Sequence, residues 1–95
     1  MSDKCPYTLI FSATYEKRAK KFFKNHSDLL STYEKILILL SNNPFHPSLR
    51  LHKLQGKLKQ LHSVSINLQY RILLEFLIQD DKIIFIDIGS HDQIY

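Results

Sequence analysis

The clearest alternation of apolar and polar positions lies in the second quarter of the chain. Over residues 28–41, apolar side chains recur at intervals of three and four residues, which is the period of one face of an α-helix. Pro44 and Pro47 follow, and neither can continue a helix. We therefore predict a helix over about 28–41 whose apolar stripe is Leu29, Leu30, Tyr33, Ile36, Leu37 and Leu40.

Two further elements are expected before this helix. Residues 7–11 (YTLIF) form a short β-rich run, and residues 13–24 repeat the helical pattern in a strongly cationic background. Ser12 stands between them, and serine is a favoured N-cap because its hydroxyl accepts a hydrogen bond from a backbone N–H of the first turn. We predict a strand and then a capped helix whose apolar positions are Tyr15, Ala19, Phe22 and Phe23.

From Leu61 onward the pattern changes to strands. Residues 61–66, 70–78 and 82–88 are rich in β-branched and aromatic side chains, and the last two runs are almost continuously apolar. The predicted order is β-α-α-β-β-β, an α+β arrangement with two N-terminal helices packed on one face of an antiparallel sheet. With 44% hydrophobic residues and no repeat or linker, residues 1–95 are expected to form a single domain.

The last two strands allow a register to be predicted. With a two-residue hairpin turn at 80–81, Arg71 lies opposite Ser90. The same register puts Tyr70 opposite His91. We therefore expect the closing segment, IGSHDQIY, to return beside Arg71.

The charge of the chain is distributed unevenly. The net charge is +4, and residues 35–74 contain no Asp or Glu, whereas Lys, Arg and His are frequent there. Such a surface attracts polyanions, of which nucleic acid is the commonest. An acidic protein partner, or a plain solvated surface, is also compatible with this charge.

Arg71, His91 and Tyr95 together suit chemistry on an RNA phosphodiester. A guanidinium fork matches a phosphate, histidine exchanges a proton near neutral pH, and tyrosine can stack on an unpaired base. A turn near 67–68 would place Ser65 beside Arg71 in this group. Because the 2′-hydroxyl of RNA can attack the neighbouring phosphate, we expect no metal and no cofactor. HExxH and GxxxxGK[ST] motifs are absent from the sequence.

The sequence also predicts where the protein acts. Its longest apolar run is far shorter than the roughly 20 residues of a membrane-spanning helix. The N-terminus lacks the apolar region of a signal peptide, and one cysteine, Cys5, cannot form an internal disulfide. We expect a soluble protein of the cytoplasm with no membrane partner.

Three motifs, taken in order, resemble the RelE/ParE superfamily of bacterial toxins, and most closely its YafQ-like branch. They are LHKLQG at 51–56, QYRILLEF at 69–76 and IGSHDQIY at 88–95. The resemblance implies a RelE-like fold and a toxin that cleaves mRNA, bound to the ribosome, by 2′-hydroxyl attack. It further implies a cognate antitoxin that wraps around the toxin.

The resemblance also implies roles for individual residues. His91 corresponds to the general acid, Arg71 to the group that stabilises the transition state, and Tyr95 to an aromatic residue that holds the RNA. His52 is the first choice for the general base, with Lys53 or Lys57 as alternatives. The residues expected to bind the RNA strand are Arg50, Lys53, Lys57, Lys59 and Tyr70.

Two departures from the family pattern keep the general base open. YafQ-like toxins usually carry another histidine and an acidic residue around the second strand and its turn, where this chain has Ser65 and Gln69. YoeB-like toxins use a glutamate, and none occurs within 35–74. The alternative function is that of a ParE-like protein, which inhibits DNA gyrase by binding and cuts no RNA.

Overall fold

The computed structural model describes residues 6–54, 61–77 and 81–90, whose helices and strands follow the predicted order with one additional short strand. The two helices are α1 (Ala13–Asn25) and α2 (Leu30–Asn42), and short 3₁₀ turns occupy Ser27–Leu29 and Pro47–Leu49. The strands are β1 (Thr8–Phe11), β2 (His52–Lys53), β3 (Leu61–Ser65), β4 (Tyr70–Leu77) and β5 (Lys82–Ser90).

The sheet is mixed, with strand order β1-β5-β4-β3-β2. Strands β3, β4 and β5 pair antiparallel, as predicted, and the additional strand β2 pairs antiparallel with β3. In contrast, β1 pairs parallel with β5, from Thr8 with Lys82 to Phe11 with Phe85. The predicted α+β class is confirmed. The expectation of a purely antiparallel sheet is corrected because the N-terminal strand joins the edge of the C-terminal strand, and local patterns carry no information about that pairing.

The helix boundaries follow from local chemistry. The Ser12 hydroxyl accepts a hydrogen bond from the backbone N–H of Tyr15 at 3.1 Å, which confirms the predicted N-cap of α1. The second helix begins at Leu30, later than predicted, because the preceding residues form the 3₁₀ turn. No helix in the described part of the chain is long and apolar enough to cross a bilayer.

Both helices pack on one face of the sheet around an aromatic centre. Tyr15 and Phe85 are almost fully buried, and their rings meet at a centroid distance of 5.2 Å. The Tyr15 hydroxyl lies 3.0 Å from the Tyr33 hydroxyl, so that the two form a hydrogen bond between α1 and α2. Burial is the largest cause that raises the pKa of Tyr15, and this hydroxyl therefore stays protonated. The sheet residues of this core are Val64, Ile72, Leu74, Ile83, Phe85 and Ile88, and Ile66, just after β3, joins them.

The pairing of β4 with β5 differs from the predicted register by one residue at the end near the chain terminus. Arg71 pairs with Gly89 rather than with Ser90, and Tyr70 pairs with Ser90 rather than with His91. The described part of the closing segment, residues 88–90, nevertheless lies beside the start of β4 as expected, because Gly89 pairs with Arg71.

Two irregularities cause this shift. Leu77 pairs with Lys82, so four residues, 78–81, and not two, separate the paired ends of the strands. A register shift halfway along β4 then leaves Ile86 of β5 between two consecutive pairs. This bulge adds one residue to β5 and reduces the offset from two residues to one.

Candidate functional site

The sheet has two chemically different faces. The helix face is the one that α1 and α2 cover, and the far face is the opposite one. Because directly paired residues of antiparallel strands point to the same side, the far face includes Arg71, Leu73, Ser65 and Ser63. Arg71 and Ser65 are half-buried there, and Ser63 and Leu73 are buried.

Arg71 is fixed on the far face by its strand partner. Its Nη1 donates a hydrogen bond to the Ser65 hydroxyl oxygen at 3.0 Å, which confirms the predicted neighbourhood of these residues. The turn between their strands is built by Asn67, whose side-chain oxygen accepts from the backbone N–H groups of Gln69 and Tyr70. A guanidinium carries five N–H donors in a planar fork, so one hydrogen bond to serine orients it and leaves donors to bind an anion.

His52 shares this face with Arg71. It pairs with Ser63, which pairs in turn with Leu73, so His52 is exposed on the same side, two strands away. Two strand spacings and a two-residue offset put the Cα atoms of His52 and Arg71 about 12 Å apart. Both long side chains could therefore contact one bound dinucleotide.

Lys53 and Arg50 lie differently. Lys53 pairs with His62, and since side chains alternate along a strand, it points to the side opposite to His52. Arg50 is exposed and has a φ of 51°, in the left-handed region, where it ends the second 3₁₀ turn. The structure thus brings His52 together with Arg71 and separates Lys53 from both.

Tyr70 belongs to the helix face. Its ring lies 5.0 Å from Phe22 and 4.7 Å from His26, both on α1 or at its end. It therefore packs against the helix, on the side of the sheet opposite to the Arg71 guanidinium.

Several residues singled out in the sequence lie outside the described residues. Gly89, the strand partner of Arg71, is buried, and Ser90 is the last residue described. His91 follows it directly in the sequence. The candidate residues outside the described ranges are Cys5, Lys57, Lys59, His91 and Tyr95.

A feature that the sequence did not point to is a cleft between α1 and the adjoining ends of β4 and β5, here called the α1 cleft. Its volume is about 460 Å³. The residues that α1 contributes follow a helical spacing, which is the signal that could have indicated a common face. The cleft was not predicted because its other wall comes from distant strands. It is lined by Arg18, Lys21, Phe22, Asn25, His26, Tyr70, Asp87, Ile88 and Ser90.

One ion pair closes part of the α1 cleft. Arg18 Nη1 lies 3.1 Å from Asp87 Oδ2, and the Asp87 Oδ1 accepts from the backbone N–H of Ile88. The Arg18 side chain is 52% exposed, so the pair contributes at most about 1 kcal/mol to stability. Its clear effect is to hold Asp87 against the helix.

His62 lies on the helix face, where it pairs with Leu74. Its ring meets Phe76 edge to face at 4.9 Å, and its buried Nδ1 has no hydrogen-bond partner in the described ranges. Burial, and then the charges of Lys53 and His52, lower the pKa of His62 below its ordinary value. Across residues 6–54, 61–77 and 81–90, no three His, Cys, Asp or Glu side chains are grouped so as to hold a metal ion.

Comparison with known proteins identifies one family and several solved structures of similar fold. The family of the bacterial toxin YafQ, from type II toxin-antitoxin systems, matches residues 7–95. No curated protein matches the chain. The fold is similar to that of YafQ from E. coli strain BL21(DE3), with a TM-score of 0.77 and 20% identity over 94% of this chain and 98% of that one.

Two other solved structures extend the comparison. The E. coli DinJ-YafQ toxin-antitoxin complex matches with a TM-score of 0.77 and 22% identity over 95% of this chain and 98% of that one. A metal-bound toxin from Helicobacter pylori matches with a TM-score of 0.74 and 24% identity over 94% of this chain and 99% of that one. At these identities the likeness establishes the fold.

Proposed function

Because the chain belongs to the YafQ family of bacterial toxins from type II toxin-antitoxin systems, we propose that it is an endoribonuclease that cleaves ribosome-bound mRNA. The observation that carries this proposal is the oriented Arg71 guanidinium on the far face, held by Ser65 and paired with Gly89 at the end of β5. A preorganised cation at this position suits a phosphate that gains charge in the transition state.

In the proposed reaction the substrate supplies its own nucleophile. The 2′-hydroxyl loses a proton and attacks the adjacent phosphorus, the bond to the 5′-oxygen breaks, and that oxygen takes up a proton. The products are a 2′,3′-cyclic phosphate and a free 5′-hydroxyl. Because no water or external nucleophile must be activated, the reaction is proposed to need no metal and no cofactor.

Each proton transfer is assigned to a histidine. His91 is the proposed general acid, since the residue before it ends β5 next to the strand that carries Arg71. His52 is the proposed general base because it shares the far face with Arg71, and it is preferred over Lys53, which points to the other side. Lys57 remains the alternative base. The proposed contacts with the RNA strand are made by Arg50, Lys57, Lys59 and Tyr95.

The proposed partners follow from the same family. E. coli YafQ is known in complex with the antitoxin DinJ, and we propose that a cognate antitoxin likewise neutralises this toxin. Residues 35–74 carry no acidic side chain, so an acidic antitoxin segment should bind there with an affinity that falls as salt rises. The proposed place of action is the cytoplasm, where ribosomes and mRNA are found.

Cleavage of ribosome-programmed mRNA by purified variants tests the proposal. Arg71→Ala should lower the cleavage rate by about 10²- to 10³-fold, because it removes charge stabilisation from the transition state. His91→Ala should lower it by about 10²- to 10⁴-fold. Lys35→Ala, which removes an exposed cation from α2, serves as the control and should cleave at the wild-type rate.

Three further measurements distinguish the alternatives. A 2′-deoxy substitution at the cleaved nucleotide should abolish cleavage, and a chelator selective for transition metals should leave it unchanged. Wild-type cleavage by His91→Ala would refute the assignment of the acid. Toxicity with DNA damage that survives substitution of Arg71, His91 and Tyr95 together would instead identify a gyrase inhibitor.

A further inference from the structure

We propose that the α1 cleft binds a nucleotide of the RNA strand just beyond the two that flank the cleaved bond. This inference rests on the proposed nuclease function and adds a second contact region, on the other side of the sheet. The cleft volume of about 460 Å³ lies within the range of roughly 300 to 1,000 Å³ that is usual for small-ligand sites.

The position of the cleft connects it to the proposed cleavage site. Tyr70 and Ser90 line the cleft and are paired with each other at the end of the β4–β5 ladder. The next pair along the ladder is Arg71 with Gly89, on the far face. An RNA strand that passes around this end of the sheet can therefore reach Arg71 with the phosphate at the cleaved bond and the cleft with a nucleotide further along the strand.

The lining of the cleft offers what a nucleotide needs. Lys21 is an exposed cation at its rim and can bind a phosphate. Phe22, His26 and Tyr70 form a mutual aromatic cluster, with centroid distances of 4.4 to 5.0 Å, against which a base can be buried. Asn25 adds a side-chain amide that can donate to and accept from a base edge.

Asp87 favours a nucleotide over an acidic peptide as the occupant. Its carboxylate faces the cleft and is paired with Arg18, so one of the cations at the cleft is already neutralised. The acidic side chains of such a peptide carry negative charge and only hydrogen-bond acceptors, so the Asp87 carboxylate repels them. A nucleobase also offers N–H donors, which a carboxylate can accept.

Lys20 provides a matched control for Lys21. Both are exposed lysines of α1, but Lys20 does not line the cleft. Successive residues of an α-helix are about 100° apart around its axis, so Lys20 points well away from Lys21. Lys20→Gln and Lys21→Gln thus remove the same charge from the same helix, one outside and one at the cleft.

The experiment measures the affinity of the purified toxin for two single-stranded RNAs made non-cleavable by a 2′-deoxy substitution. The first is a dinucleotide that spans the proposed cleavage site, and the second is a hexanucleotide long enough to reach the cleft. Lys21→Gln should weaken hexanucleotide binding about tenfold and leave dinucleotide binding unchanged. Lys21→Gln should also make the negative slope of log affinity against log salt less steep by about 0.7, the value for one phosphate contact with a single strand. Lys21→Arg, which keeps the charge, should restore affinity.

The outcomes separate this inference from the proposed function. Equal effects of Lys20→Gln and Lys21→Gln on the hexanucleotide, while wild-type toxin still binds and cleaves RNA, would overturn the cleft assignment alone. Loss of antitoxin affinity by Lys21→Gln with unchanged RNA affinity would overturn it in favour of a peptide site. Failure of the wild-type protein to bind either RNA, together with no cleavage of ribosome-bound mRNA, would overturn the nuclease proposal and this inference with it.

Discussion

The two faces of β4 differ in what their side chains contact, and two adjacent residues illustrate the difference. On the helix face, Tyr70 packs against Phe22 and His26 of the first helix and its end. On the far face, the next residue, Arg71, is half-buried and donates a hydrogen bond to a serine of the neighbouring strand. One face stabilises the fold through apolar and aromatic packing, and the other holds polar side chains in a defined orientation.

This difference shows how residues should be assigned from a motif in a strand. The motif QYRILLEF suggested one site in which Arg71 stabilises the transition state and Tyr70 binds the RNA strand, yet alternation places their side chains on opposite sides of the sheet. The same applies to His52 and Lys53 in β2. Within strands, residues two apart or paired across the ladder are better candidates for a shared site than residues next to each other.

The largest effect is expected from removal of a large side chain on the helix face. Phe85 is fully buried and meets Phe11 and Tyr15 at ring-centroid distances of 4.6 and 5.2 Å. Phe85→Ala should lower the free energy of unfolding by about 3 to 5 kcal/mol, measured by urea denaturation. Ile38→Ala, at a position that is 62% exposed, should change it by less than about 0.5 kcal/mol. A loss below about 1 kcal/mol for Phe85→Ala would show that the helix face is not the stabilising core.

A smaller effect of a different kind is expected on the far face. Ser65→Ala removes the acceptor that orients Arg71, so the cleavage rate should fall about threefold to tenfold. The free energy of unfolding should change by less than about 1 kcal/mol. Ser31→Ala, at an exposed position of α2, is the control and should alter neither quantity. A large loss of stability with unchanged cleavage would reverse the roles of the two faces.

The smallest effect concerns the pH dependence of stability. Since the folded protein lowers the pKa of His62 below the ordinary value of 6.5, the unfolded chain takes up its proton at a higher pH. Stability should therefore fall as the pH drops through about 6.5, and the fall should end below the folded pKa. In His62→Gln, the midpoint of thermal denaturation should vary less with pH between about pH 7 and about pH 5 than it does in the wild type. His46→Gln, in the loop after α2, is the control, and an equally flat profile for it would contradict this origin.

The sequence predicted the elements that depend on neighbouring residues. The apolar period of α2, the Ser12 cap of α1 and the turn that joins Ser65 to Arg71 all involve residues close together in the chain. Their geometry follows from helical periodicity, capping and the short connection at Asn67. The family resemblance added the fold and the toxin class, both of which are confirmed.

Other features could not be predicted because they depend on distant or irregular contacts. Strand β2 has two residues, too few to show any alternation. The bulge at Ile86 and the four-residue connection at 78–81 displace the register of β4 and β5 from the one predicted for a regular hairpin with a two-residue turn. The α1 cleft needs α1 to lie beside the ends of two strands more than 40 residues away, as from Asn25 to Tyr70.

The parallel pairing of β1 with β5 has a consequence for biosynthesis. Thr8 finds its partner only at Lys82, so the first strand cannot dock until nearly all of the described chain has been synthesised. Contacts of such high sequence separation form late and slow folding, because a long loop must close first. A chain interrupted before β5 lacks both the partner of β1 and the strand that pairs with Arg71, so premature termination of translation leaves the far face incomplete. The topology thereby delays completion of the far face until β5 has been synthesised.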